Sequence, residues 1–216
     1  MNLPTKITVS RIILIILMLL SLFVLSVIPF SYEQISALNF PIVDGGYSIN
    51  IIYIIACGIF VIASLTDFVD GYLARKNNQV TDFGKFLDPV ADKLLVDGLI
   101  IFLLVKQAYA PDQIAFPLFC AIIMISRDLV VDALRFIAAS KNVVLAANIF
   151  GKLKTILQMI AIPAVLLNDW PFSYFDHSWP EPLRICNIIV YLATFVSLLS
   201  GIIYLVQNKK VFKNTK

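Results

Sequence analysis

The amino-acid sequence predicts an all-α integral membrane protein. Hydrophobic residues make up 60% of the 216 residues and charged residues only 14%, whereas ordinary soluble domains are roughly 25% charged. The chain also contains apolar stretches of about 20 residues, the length that crosses a bilayer as a helix. We see no internal repeat, low-complexity run or soluble segment, so residues 1–216 are expected to form a single membrane domain.

Six transmembrane helices are predicted. They cover residues 9–30, 48–66, 92–108, 114–138, 150–168 and 186–206. The first stretch is too long for the apolar part of a cleavable signal peptide, so we expect it to remain as a membrane helix. The residues before Arg11 are polar and include Pro4. They predict a short N-terminal interfacial segment, with Lys6 and Arg11 near anionic lipid or phosphate.

The distribution of basic residues predicts the orientation. An even number of spans places both termini on one side, and the loops of the other side hold only Lys106 and Arg184 of the 17 basic residues. Because cytoplasmic loops carry an excess of Lys and Arg, both termini and the segment 67–93 are expected at the cytoplasmic face of a multi-pass protein of the cell membrane.

Four carboxylates mark the main candidate site, at the ends of the second and third spans. Asp67 and Asp70 are three residues apart, and Asp88 and Asp92 are four apart, so each pair lies on one face of a helix. A carboxylate at the centre of a bilayer costs roughly 2.5–3.5 kcal/mol on insertion scales. Four carboxylates without a function should not be tolerated there. We therefore expect a cavity and a counter-charge beside these residues.

The chemistry of the cluster favours a metal site for phosphoryl transfer. Oxygen ligands without nearby His or Cys select a hard cation such as Mg²⁺, Mn²⁺ or Ca²⁺. Four single negative charges balance two divalent cations, and paired cations clamp the attacking and leaving oxygens of a phosphoryl transfer. Gly71 and Gly84 leave room for a phosphate or nucleotide beside the backbone, and Arg75 offers a planar fork for a phosphate oxygen.

Basic residues on the fourth and fifth spans form a second candidate site: Arg127, Arg135, Lys152 and Lys154. Arg135 shares a helical face with Asp128 and Asp132, so it fits either a salt bridge between helices or a contact with an acceptor phosphate. Lys152 and Lys154 are two residues apart on nearly opposite faces, and both can hardly reach one phosphate. The position of either lysine is also explained if its side chain simply extends towards the membrane surface and binds no substrate.

The residues from Asp67 to Asp92 match a longer pattern, DxxDGxxAR followed by eight residues and GxxxDxxxD. On this motif the chain resembles the CDP-alcohol phosphatidyltransferase family. The segments 2–11 and 151–155, with Arg127 and Arg135, resemble the branch that uses sn-glycerol 3-phosphate as acceptor, so the similarity covers most of the chain. The chain departs from that branch where Arg127 is followed by Asp128 rather than Glu, and where Ala133 stands for Gly.

The resemblance implies a reaction and a role for each motif residue. CDP-diacylglycerol would lie with its acyl chains in the bilayer, and the hydroxyl of sn-glycerol 3-phosphate would attack the lipid-side phosphorus and expel CMP. Two Mg²⁺ or Mn²⁺ ions would be held by the aspartates, with Asp92 also acting as general base. The residues that would shape the CDP site are Gly71, Ala74, Arg75 and Gly84. The family also implies a homodimer, and no nucleic-acid partner is expected.

Other functions fit parts of the pattern. Another family member would use phosphatidylglycerol, serine or inositol phosphate as acceptor, and only a phosphorylated acceptor should need the basic residues of the fourth and fifth spans. An intramembrane prenyltransferase also holds Mg²⁺-pyrophosphate with Asp-rich helices, but it leaves the Gly-x-x-Ala-Arg element unexplained. A cation channel would place carboxylates near mid-bilayer on several helices, whereas these cluster at one end of two.

Overall fold

Six long helices dominate the computed structural model, which describes residues 3–43, 47–76, 82–141, 143, 145, 149–176 and 178–209. The long helices are α1 (Leu3–Val27), α3 (Ile51–Lys76), α4 (Asp82–Phe102), α5 (Leu118–Ser140), α6 (Ile149–Leu166) and α8 (Ile185–Gln207). The shorter elements are α2 (Tyr32–Leu38), the strands β1 (Asn39–Val43) and β2 (Tyr47–Asn50), α7 (Ser173–Asp176) and a 3₁₀ turn at Glu181–Leu183.

Four of these helices combine the length and the apolar composition that a membrane span requires. They are Thr5–Val27 in α1, Ile51–Gly71 in α3, α6 and α8. Helices α4 and α5 are comparably long, at 21 and 23 residues, but they carry charged residues of the candidate sites, such as Asp88 and Asp92 on α4 and Arg127 and Arg135 on α5. The prediction of a helical, multi-pass membrane protein is therefore confirmed, while apolar composition alone supports four of the six spans.

The predicted interfacial segment at the N-terminus is wrong. Helix α1 runs without a break from Leu3 to Val27. Pro4 lies in its first turn, where a missing backbone N–H has no helical partner to lose, so proline is tolerated there. The polar residues Thr5, Lys6, Thr8 and Ser10 consequently belong to the same helix as the apolar residues that follow.

Helix α1 packs against both α3 and α4, while α3 and α4 make few direct contacts with each other. Its buried side chains Ile15, Met18 and Leu22 lie in the main core. At Gly98 a Cβ atom would come within 2.8 Å of the Leu19 side chain, so the absence of a side chain allows α1 and α4 to approach closely. The two helices that carry the aspartates are thus joined through α1.

The other half of the bundle is built around α8, which packs against α5 and α6. Small buried residues on these helices, such as Ala161 and Ala193, permit close packing of their backbones. Val190 of α8 and Val165 of α6 complete this part of the main core.

A β-hairpin and polar loops cover the end of the bundle where α1 ends and α3 begins, here called the opposite end. Strands β1 and β2 are antiparallel, with Asn39 opposite Asn50. Both asparagines donate to the Tyr109 carbonyl at 2.9 Å. This hairpin was not predicted, and the second predicted span begins at Ile51 rather than at residue 48, because the strands are short and lie next to an apolar helix.

Candidate active site

The two aspartate pairs lie on neighbouring helices, as the spacing predicted. Asp67 and Asp70 are in the last three turns of α3, and Asp88 and Asp92 are in the first half of α4. Asp70 is buried, whereas the other three carboxylates are partly or largely exposed. All four come from the same end of the bundle, here called the site end.

Helix α1 contributes a hydroxyl and a guanidinium to the aspartates. Thr8 Oγ1 lies 3.1 Å from Asp70 Oδ2 and 3.3 Å from Asp88 Oδ1, within donating distance of both. Arg11 donates through Nη1 to Asp67 Oδ1, and its Nη2 lies 3.7 Å from Asp88 Oδ1. Arg11 is only 4% exposed. Of its two predicted settings, anionic lipid or phosphate, the lipid surface is wrong, since Arg11 points into the protein, while Lys6 is exposed.

The donor set suits a hard divalent cation, although the carboxylates are spread out. In the part of the chain that the structure describes, no three carboxylate, imidazole or thiol groups converge as a ligand cluster for one ion. The aspartates instead surround Thr8 and Arg11. Every candidate ligand atom is an oxygen, which matches the preference of Mg²⁺ and Mn²⁺, and separation of the carboxylates reduces the repulsion between like charges.

A small cavity lies within this group. It has a volume of about 20 Å³ and its polar lining comprises Arg11, Ser64, Asp67 and Asp92. A cavity of this size accommodates roughly one water molecule.

A second, larger cavity of about 290 Å³ opens next to it. Its charged lining consists of Asp92, Lys93, Arg127, Asp128, Asp132, Arg135, Lys152 and Lys154. The four basic residues predicted from the sequence thus share one cavity. Lys152 and Lys154 both line it, the first exposed and the second buried, while the expectation that both can hardly reach one phosphate stays a prediction.

Asp128 organises the floor of this larger cavity. It accepts from Arg127 Nη1 at 2.8 Å and from Lys154 Nζ at 2.5 Å. Arg127 Nη2 also donates to Ser200 Oγ at 2.6 Å. A Cβ atom on Gly201 would lie 2.8 Å from Arg127 Cγ, so this glycine provides the space through which the arginine stem passes between α5 and α8.

Asp132 organises the mouth of the cavity. It pairs with Lys93 of α4, and Arg135 Nη1 lies 3.9 Å from its other oxygen. The Arg135 side chain is 60% exposed, and its guanidinium carbon lies 5.7 Å from the centre of the Tyr204 ring. Five cationic and three acidic side chains line the cavity, which leaves two positive charges in excess.

A family model for CDP-alcohol phosphatidyltransferase matches residues 1–199. The chain belongs to this family. Among curated relatives, the CDP-diacylglycerol–glycerol-3-phosphate 3-phosphatidyltransferase of Bacillus subtilis (strain 168) is 38% identical over 214 residues, which cover 99% of this chain and 98% of the relative. Proteins of the same name from Rickettsia bellii (strain RML369-C) and Mycoplasma pneumoniae (strain ATCC 29342 / M129 / Subtype 1) are 38% and 39% identical, over 71% and 72% of this chain and 78% and 66% of their own lengths.

The residues expected to shape the CDP site of this transferase are only partly described. Gly71 of α3 and Gly84 of α4 are partly exposed on the helices that carry the aspartates. Ala74 and Arg75 continue α3, but their side chains lie outside the described part of the structure. The assignment of these four residues to CDP binding stays a prediction.

Several residues of the site were not predicted. Thr8 and Arg11 lie in the N-terminal segment that carried part of the family resemblance, which was the available signal for them. Lys93 directly follows Asp92 in the sequence, but its ion pair with Asp132 of α5 depends on how α4 and α5 cross. Ser200 and Tyr204 lie in a mostly apolar helix, and their polar groups are the hint in the sequence that this face of α8 lines a cavity.

Proposed function

We propose that this transferase moves the phosphatidyl group of CDP-diacylglycerol to sn-glycerol 3-phosphate and releases phosphatidylglycerophosphate and CMP. The position of Asp92 carries the proposal. Asp92 lines both the small cavity, with Asp67 and Arg11, and the large cationic cavity. A carboxylate in this position borders the group of aspartates on one side and a binding site for an anionic acceptor on the other.

The cationic cavity fits a phosphorylated acceptor. Its two excess positive charges would be balanced by a dianionic phosphate. Arg127 and Lys154 are held in place at the floor by Asp128, so their donors need little reorganisation when a phosphate enters. Arg135 and Lys152, at more exposed positions, would draw the phosphate in from solution. Serine, whose ammonium and carboxylate charges cancel, has no net negative charge to balance this excess.

The aspartates would hold two Mg²⁺ or Mn²⁺ ions, with Asp67, Asp70, Asp88 and Asp92 as ligands. When bound, such ions neutralise the diphosphate and the charge that develops on it, and they acidify a nearby hydroxyl. Gly71 and Gly84 would leave the backbone accessible to the nucleotide, and Arg75 would add a cationic fork for its phosphate.

Asp92 would take the proton of the attacking hydroxyl. As that oxygen forms its bond to the lipid-side phosphorus, the bond from phosphorus to the CMP oxygen breaks, and the electron pair leaves with CMP. Asp92 can accept the proton because it borders the acceptor cavity. Charge-assisted contacts from Arg127 and Lys154 would keep the acceptor in place during this step.

We propose in addition how the enzyme lies in the membrane. All six long helices would cross the cell membrane, with α4 and α5 protecting their charged faces inside the bundle, and the site end and both termini would be cytoplasmic. This orientation follows from the distribution of basic residues and gives a soluble acceptor access to the cavity. A homodimer is included because the family resemblance implies one.

An acceptor panel tests the proposal. Purified protein in detergent micelles is given CDP-diacylglycerol with sn-glycerol 3-phosphate, glycerol, serine, inositol phosphate or phosphatidylglycerol, and CMP release is measured. We expect release with glycerol 3-phosphate, at a rate that falls to background in excess chelator. Equal or faster release with another acceptor would contradict the proposed acceptor, and full turnover in chelator would contradict the metal site.

A further inference from the structure

We propose that Arg11 is a built-in counter-cation of the aspartate site and competes with divalent cations for Asp67 and Asp88. The proposal rests on the metal-dependent function proposed above. Through Arg11, helix α1 would affect the affinity of the site for metal ions, although the aspartates themselves lie on α3 and α4.

The position of Arg11 is the first argument. Its side chain is 3% exposed and approaches a carboxylate on each of two helices, Asp67 on α3 and Asp88 on α4. Those helices touch each other little, and α1 packs against both. Thr8, one turn earlier on α1, contacts Asp70 and Asp88. One face of α1 therefore joins the two aspartate pairs.

The charge balance is the second argument. Four ionised aspartates carry four negative charges, and two divalent cations alone neutralise them. Arg11 is protonated at every relevant pH, so with both cations present the group has one positive charge too many. Because Arg11 donates to an oxygen of Asp67 and its Nη2 lies 3.7 Å from an oxygen of Asp88, cations can use those oxygens fully only if the guanidinium withdraws.

The unsatisfied donors of Arg11 are the third argument. Among the residues that the structure describes, its buried Nε and Nη2 atoms have no hydrogen-bond partner, and Nη2 approaches Asp88 only at 3.7 Å. An unsatisfied buried donor is unfavourable, so these two donors do not hold the guanidinium in its present position. The small cavity beside Arg11, about 20 Å³ in volume, adds space next to the side chain. The guanidinium is thus buried without being locked in one set of hydrogen bonds.

Binding of Mn²⁺ measured by electron paramagnetic resonance tests this competition, because free and bound Mn²⁺ are distinguished without any need for turnover. Arg11→Met and Arg11→Gln both remove the charge. Arg11→Gln keeps a polar group and serves as the second variant if Arg11→Met does not fold. Removal of one positive charge next to the ligands should lower the Kd for Mn²⁺ roughly tenfold. Lys6→Met, which removes an exposed lysine of the same helix, is the control and should leave the Kd unchanged.

Thermal unfolding provides a second measurement. Without divalent cation, both neutral variants should unfold at a lower temperature than the wild type, because the aspartates lose their internal counter-charge. Added Mn²⁺ should raise the unfolding temperature of the variants more than that of the wild type. Arg11→Lys, which retains the charge, should resemble the wild type in both measurements.

The outcomes separate this inference from the proposed function. If the wild type binds Mn²⁺ and requires it for CMP release, but Arg11→Met and Arg11→Gln bind Mn²⁺ equally or more weakly, the competition is wrong and the proposed function stands. If the wild type shows no saturable Mn²⁺ binding and chelator leaves CMP release intact, the competition and the proposed metal site are both wrong, while the transfer reaction itself stands.

Discussion

The two ends of the helix bundle stabilise carboxylates in different ways. At the site end, aspartates are paired with side-chain cations from other helices, such as Arg11 with Asp67 and Lys154 with Asp128. At the opposite end, the fully buried Asp169 and Asp176 accept the backbone N–H groups of Cys186 and Ile185 in the first turn of α8, at 2.9 and 2.7 Å.

The carboxylates of the site end therefore have exchangeable partners, and those of the opposite end have permanent partners. A lysine or arginine side chain can leave a carboxylate when a metal ion or phosphate arrives, because several rotatable bonds allow it to move. The backbone N–H groups at a helix start are fixed, and the carboxylates satisfy donors that lack partners within the helix. The site end therefore suits binding and chemistry, and the opposite end suits structure.

The largest expected effect is at Asp92. Asp92→Asn keeps the size of the side chain but cannot accept a proton, so kcat should fall by about 10²–10⁴-fold while CDP-diacylglycerol still binds. CMP release and lipid binding measure the two effects separately. Asp112→Asn, at an exposed acid of the opposite end, is the control and should retain activity. Near-normal turnover of Asp92→Asn would show that another group takes the proton.

The acceptor cavity gives the next effect. Lys154→Met removes a buried charge from its floor and should raise the KM for glycerol 3-phosphate more than that for CDP-diacylglycerol. The loss of one charge-assisted contact corresponds to about 1.5–3 kcal/mol, or roughly ten- to a hundredfold in kcat/KM. Arg135→Ala should act in the same direction but more weakly, since its side chain is 60% exposed. Equal changes for both substrates would assign these residues to structural ion pairs.

The hydrogen-bond network of the opposite end should affect stability rather than activity. Asn168 accepts from the Ile114 N–H at 2.9 Å and donates to the Ser48 carbonyl at 2.8 Å. Its φ of 53° also favours asparagine over most residues. Asn168→Leu should lower the free energy of unfolding by about 1–3 kcal/mol for each polar group left unsatisfied. Thermal unfolding measures this loss, and the KM values of the folded variant should stay close to those of the wild type.

The smallest effect is a pH dependence of stability at the opposite end. Burial, together with the neighbouring Asp176 carboxyl, raises the pKa of Asp169 to about 7. A carboxyl whose pKa is higher in the folded than in the unfolded protein stabilises the fold fully below pH 4, and this contribution is lost as the pH rises to 7. Between pH 5 and 8 the unfolding temperature should therefore fall by a few degrees.

Asp169→Asn tests this pH dependence directly. The amide has no proton to lose, so its unfolding temperature should change less between pH 5 and 8 than that of the wild type. Asp112→Asn, which removes an exposed carboxyl from the same end, should keep the wild-type slope. An unchanged slope in Asp169→Asn would show that a group other than Asp169 titrates over this pH range.

The sequence by itself determined the membrane class, the family and the main candidate residues. Its apolar stretches are long enough to indicate helices without knowledge of their neighbours, and helical periodicity alone puts Asp67 with Asp70 and Asp88 with Asp92. The basic residues Arg127, Arg135, Lys152 and Lys154 were also recognisable, because charges in apolar segments are costly and therefore conspicuous.

Only the tertiary structure decided how these groups meet. Arg11 is 56 residues from Asp67, and their pairing depends on α1 lying between α3 and α4. Lys152 and Lys154 share a cavity with residues of α5 because α6 packs against α8, which also packs against α5. Local periodicity describes one helix at a time. Contacts between helices depend on crossing positions set by the packing of residues such as Gly98 and Gly201, whose missing side chains become informative only when the neighbouring helix is in place.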